Sequence, residues 1–219
     1  MTNVELRCLR LTIPILAATL ALLFVGPAQA QGLHTLTSES LIAHPETGGT
    51  SEVVGVCNPS GTSTFTFSVS GYVGSGPYPG TFSESGTLTL GPFVTEPDGN
   101  VVAPPISFES SFTINSPMAT ITGSKTLSSE PLAPYNFGGC GEILTPFGFP
   151  SLPPNAVDIQ TRVDYTAQIV IGNNHATFLD SGSAFLDYAD LGVRDVPFGP
   201  FQFVEIFESD QPAPTPLFR

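Results

Sequence analysis

Residues 65–90 set the pattern for the chain. Phe65, Phe67 and Val69 alternate with Thr64, Thr66, Ser68 and Ser70, the period-two signature of a strand with one buried and one wet face. After a turn-rich connection at 71–80, a second run places Phe82, Leu88 and Leu90 on one face and Thr81, Ser83, Ser85, Thr87 and Thr89 on the other. The two runs predict a long β-hairpin. Glu84 and Gly86 break the second run by sitting on its apolar parity.

The same irregularity returns downstream. Residues 81–86 and 177–182 both read T-F-x-acid-S-G, with Glu84 and Asp180 as the acids. Each copy follows an alternating strand, the later one carrying Val163, Tyr165, Ala167, Ile169 and Ile171, and precedes an aromatic-rich strand at 107–114 or 201–207. This predicts an internal duplication of a three-strand unit, the first over about 51–127 and the second over about 161–209, related by a pseudo-twofold axis.

The rest of the chain fills in around these units. A leader at 31–43 reads as an edge strand or arm, 51–57 as a short strand, and 107–127 as a second hairpin about Asn115-Ser116-Pro117. From 128 to 160 the chain is rich in Pro and Gly with Phe137, Phe147 and Phe149 interspersed, which predicts a lid packed on the core. The expected fold is all-β: an antiparallel β-sandwich of about nine strands, with a small β-barrel as the alternative.

Arg7 and Arg10, the apolar run 11–25 and the ending Ala28-Gln29-Ala30 have the anatomy of a signal peptide over 1–30, so the chain is expected to be secreted or extracellular. No later stretch approaches the roughly 20 apolar residues of a spanning helix, and no membrane span is expected in the mature chain. Residues 31–209 then form a single β domain. The Pro-spaced tail 210–219 cannot continue a sheet.

Loss of 1–30 lowers Lys plus Arg from 6 to 4 and Asp plus Glu from 19 to 18, leaving a formal charge of −14. Lys125 is the only lysine. So few cations exclude nucleic acid as a partner, because phosphate backbones are held by many basic contacts. The absence of Trp weakens any carbohydrate reading based on ring stacking. The two cysteines that remain, Cys57 and Cys140, form an even pair in an exported chain and are expected to be disulfide-bonded.

Candidate chemistry is sparse. Were Glu84 and Asp180 both turned inward, burial would raise a pKa and give an acid/base pair of the kind carboxylate hydrolases use. The glycine two residues beyond each acid predicts the other outcome, a β-bulge that turns the acid to solvent. Asp187, Asp190 and Asp195 cluster about one loop and could supply calcium oxygens, but do not match an EF-hand. Calcium is the single cofactor candidate. His34, His44 and His175 lack metal-ligand spacing, and no nucleophile, zincin or nucleotide-binding motif occurs.

The segments CNPSGTSTFTFSVSG (57–71) and GPYPGTFSESGTLTL (76–90) resemble a β module of uncharacterised exported bacterial proteins. The resemblance covers about 53–127 and implies no established activity. The expectation is an exported non-catalytic β module acting by surface or ligand interaction, with a protein, a glycan or an apolar small molecule as partner. The alternatives are a barrel holding a small apolar ligand and a hydrolase using Glu84 and Asp180.

Overall fold

A computed structural model describes residues 34–97, 99–130, 137–141, 152–172, 176–192 and 199–211. The predicted signal peptide, the Pro-spaced tail from 212 and Asp195 lie outside the described residues, as does much of the predicted lid.

The described strands are β1 (Ser40–Ala43), β2 (Thr50–Gly55), β3 (Ser63–Ser75), β4 (Thr81–Leu90), β5 (Val94–Thr95), β6 (Val101–Val102), β7 (Pro105–Asn115), β8 (Ala119–Leu127), β9 (Phe137–Cys140), β10 (Val157–Ile171), β11 (Ala176–Asp190) and β12 (Phe201–Ser209). Every long strand shows the alternation read from the sequence. In β3 the inward Phe65, Phe67 and Val69 are buried and Thr64, Thr66 and Ser68 are exposed.

The strands pair antiparallel in the order β1, β12, β11, β10, β8, β7, β4, β3, and β3 pairs back to β1. The eight strands therefore close into a barrel, the second of the two architectures expected, rather than the two facing sheets of a sandwich. Closure rests on four residues. Leu41 of β1 stands opposite Glu205 of β12 on one edge and Val73 of β3 on the other. Hairpin patterns could not reveal this, because it joins the beginning of the domain to its end.

Outside the ring, β5 and β6 pair with each other, and β2 and β9 extend the main sheet. β2 takes the first half of β3, Phe65 to Ser70, beyond the reach of β1. In the same way β9 pairs with Val157 to Gln160 at the start of β10, where β8 does not extend. Cys57, just after β2, and Cys140, at the end of β9, are bonded at 2.01 Å, so the disulfide links these two outlying strands. Within the predicted lid, Cys140, Leu152 and Ala156 are buried, and the Asn155 amide donates to the Val53 carbonyl.

Aromatic side chains fill the barrel. Phe67 of β3 meets Tyr188 of β11 with centroids 5.6 Å apart, Phe82 of β4 meets Phe203 of β12 at 5.5 Å, and Phe112 of β7 meets Phe207 of β12 at 5.5 Å. Each pair joins strands that are not neighbours in the ring, so the opposite walls touch. Rings of this size remove roughly 150–250 Å² each from water, which makes this layer the main apolar term of the fold. At one end Tyr78, from the β3–β4 turn, and Leu36, from the leader, are buried as plugs.

Candidate functional site

Within this aromatic interior the apolar parity is interrupted by acids and one base. Glu84 on β4 and Asp180 on β11 both point inward, 2 % and 3 % exposed. The expected bulge does not form at Glu84: β4 runs in unbroken register against β7 from Thr81 to Thr89. The motif glycines serve another purpose. A Cβ on Gly86 would lie 2.1 Å from the Glu109 carbonyl oxygen, and one on Gly182 would lie 2.1 Å from that of Glu208. Glycine there lets the adjoining strand come close while the acid keeps its inward direction.

Glu84 accepts a hydrogen bond from the Ser110 hydroxyl at 2.6 Å and another from Lys125 Nζ at 2.5 Å. Lys125 Nζ also donates to Glu205 Oε2. All three charged side chains are fully buried. The Phe112 and Phe207 rings lie 4.4 and 5.0 Å from the ammonium, giving it cation–π contact where water is excluded. Burial pushes the Glu205 carboxyl up to about 8, with Lys125 opposing the rise and Glu84 adding to it. Glu205 Oε1 has no hydrogen-bond partner among the described residues.

Asp180 belongs to a different set. Its carboxylate accepts from the Leu36 amide at 2.7 Å, the Tyr165 hydroxyl at 2.9 Å and the Ser209 hydroxyl at 2.5 Å. Burial, and then Asp180 itself, hold the Tyr165 phenol well above its usual range. Among the described residues Glu84 and Asp180 share no hydrogen-bond partner, and each is engaged by its own set of donors.

Glu39 is a third buried acid, completely enclosed beside Tyr78. Its Oε2 accepts from the Tyr78 amide at 3.2 Å, while its Oε1 and the Tyr78 hydroxyl have no partner among the described residues. Burial pushes Glu39 up to about 7, with the Tyr78 amide pulling the other way.

Of the calcium candidates, Asp187 and Asp190 lie within the described residues. Alternation along β11 turns Asp190 inward with Tyr188 and Asp187 outward. Asp190 accepts from the Ser51 hydroxyl at 2.5 Å and the Gly192 amide at 3.2 Å. Asp187 lies opposite Gln160 and beside Asp158, whose carboxyl burial pushes up to about 6, with Asp187 adding to the rise. Among the described residues no three metal-binding side chains gather.

Lys125, Glu205 and Glu39 were not singled out as site residues from the sequence. For the first two the signal was present: Lys125 shares the parity of Ile121, and Glu205 that of Phe203 and Phe207. For Glu39 the leader offered too little alternation to read.

The outer face is as polar as the interior is aromatic. Ser68, Ser85, Ser111, Ser124, Thr166 and Ser181 stand opposite one another in turn on six successive strands, all exposed. This belt of hydroxyls crosses two shallow depressions. One, of about 360 Å³, is lined by Ser85, Thr87, Glu109, Ser111, Ser124 and Thr126. The other, also about 360 Å³, is lined by Ser181, Asp164, Arg162 and Glu130 among others. Gly86 lies in the first and Gly182 in the second.

In comparisons with known protein families, curated proteins and solved structures, the chain matches none.

Proposed function

We propose that this chain is an exported, non-catalytic β-barrel module that works through its outer face, and that its partner is a hydroxyl-rich polymer of the glycan class. The observation that carries the reading is the belt from Ser68 to Ser181 with its two depressions. Hydroxyls both donate and accept, and the carboxylates of Glu109 and Asp164 and the guanidinium of Arg162 widen that range within the depressions. The interior supports the same reading, since its rings touch across the barrel and Glu84 and Asp180 are each engaged by internal donors.

Each depression holds the S-G pair of one copy of the repeated motif, Ser85-Gly86 on β4 and Ser181-Gly182 on β11. The first extends over β7 and β8 and the second over β10, so they offer two different surfaces. A polymer long enough to reach both engages them together.

The test is binding of the mature protein to a panel of soluble glycans, followed by thermal melting, with calcium and an apolar fluorescent probe in parallel. A ligand selective for the folded state raises the midpoint, by about 2.7 kcal/mol at a hundredfold excess over its dissociation constant. The expected result is a shift with one glycan class that is lost in Ser85→Arg/Ser181→Arg, whose own melt is unchanged. A shift with the apolar probe alone assigns the interior as a ligand site and sinks the surface reading.

A further inference from the structure

Lys125 is the only lysine of the chain, and it sits fully buried in the barrel between two fully buried glutamates. Lysine is rarely enclosed in this way, and an exported chain so poor in cations has no shortage of exposed positions for one. Its amine lies within hydrogen-bond reach of Glu84 and Glu205, while the Phe112 and Phe207 rings line the space around it. A nucleophilic nitrogen, two carboxyls and an aromatic, water-poor surround are the components of an amide-forming reaction. Water would normally reverse the condensation, and here the side chains are closed off from it.

We infer that Lys125 Nζ condenses with the Glu205 side chain to form an intramolecular amide across the barrel, with Glu84 as the proton carrier. The two acids are not equivalent, and their surroundings assign the roles. Glu84 accepts hydrogen bonds from the Ser110 hydroxyl and the lysine amine, which places it within reach of the protons that must move. Glu205 has an oxygen without a partner among the described residues, and burial favours its neutral carboxyl. A neutral carboxyl is the better electrophile.

The atoms balance without any further reagent. Lys125 passes one proton to Glu84 and becomes a neutral amine. Its nitrogen lone pair forms the Nζ–Cδ bond to Glu205, and the carbonyl π pair moves onto oxygen, which takes the proton from Glu84. Glu84 then removes a second proton from the nitrogen and delivers it to one hydroxyl of the tetrahedral carbon. The C–O bond breaks with its electron pair, and water leaves. The proton left on the carbonyl oxygen then passes to Glu84, and the nitrogen keeps the one hydrogen of the amide. An ammonium, a carboxylate and a carboxylic acid become an amide, a water and a carboxylic acid, with the net charge unchanged.

The cross-link would join β8 to β12, which β10 and β11 separate in the ring. It would close a loop from 125 to 205 that overlaps the loop the disulfide closes from 57 to 140.

The test is the intact mass of the purified, reduced and denatured protein, followed by peptide mapping. The expected mass is one water below that of the reduced sequence, and the map shows a branched peptide joining the segments that contain Lys125 and Glu205. Apart from the chain terminus, Lys125 supplies the only amine, so an amine-reactive label applied to the unfolded chain should find no ε-amine. Lys125→Arg restores the full mass, and Glu84→Gln slows the loss of water at least tenfold. Full mass with a labelled Lys125 in the wild-type protein overturns the proposal without recourse to any variant. A branched peptide through Glu84 overturns the assignment of roles.

Discussion

Glu84 and Asp180 stand at the same position of a repeated motif and point into the same barrel, yet the one accepts from an amine and a hydroxyl and the other from two hydroxyls and a main-chain amide. Equal positions therefore hold the interior together by different means. Glu84 ties β4 to β7 and β8, whereas Asp180 ties the leader segment and the end of β12 to the middle of the sheet.

Asp180→Ala should lower stability by about 3 kcal/mol, because it leaves the buried Leu36 amide and Tyr165 hydroxyl without an acceptor. Denaturant midpoints measure the loss. Hydrogen exchange should locate it, with protection falling first over 36–39; uniform loss across all strands would contradict this account.

Gly86→Ala and Gly182→Ala should each destabilise by about 1–3 kcal/mol, since either methyl would meet a neighbouring carbonyl oxygen at 2.1 Å. Thermal melts of the two variants check this. Alanine tolerated at both positions would mean that the strands are not pressed together there.

Stability should fall as pH rises. The folded Glu39 carboxyl, pushed up to about 7, keeps a proton that the unfolded chain gives up from about 4.5. Between those values the folded state binds more protons than the unfolded, so the free energy of unfolding decreases with pH, by about 3 kcal/mol for this group. Asp158, pushed up to about 6, acts in the same direction. Unfolding curves at about pH 5 and about pH 8 should show the drop, and Glu39→Gln should flatten it. An unchanged slope in that variant removes Glu39 as the cause.

Phe207→Ala should cost about 3–5 kcal/mol, as the ring packs against both Phe112 and Tyr165 and lies beside the Lys125 ammonium. The equilibrium midpoint reads the loss. A cost below about 1 kcal/mol would mean that the interior closes over the missing ring.

The strands were legible because their faces differ so sharply. Phe65, Phe67 and Val69 against Thr64, Thr66 and Ser68 gave both the strand and its inward side, and the structure buries the apolar set. The acids were legible as anomalies, but their direction was not. Gly86 was read as the seat of a bulge, whereas it admits a neighbouring backbone, a property of the strand across from it and not of its own sequence. Closure was illegible for a related reason. The partners of Leu41 are Glu205 and Val73, and nothing local to 40–43 records either. Lys125 and Glu205 were each visible on an apolar parity, but only the fold brings residues 80 positions apart together.

The four-residue strand that closes the ring also sets the order in which the molecule can be completed. Ser40–Ala43 is made long before its β12 partners Phe203 to Ile206. No growing chain can finish this barrel. Until its last strand is made, β1 has an unsatisfied edge, the aromatic layer lacks Phe203 and Phe207, and Lys125 lacks Glu205. The ring therefore closes through its most distant pairing, the kind of contact that forms slowly because the long intervening chain must be brought together first.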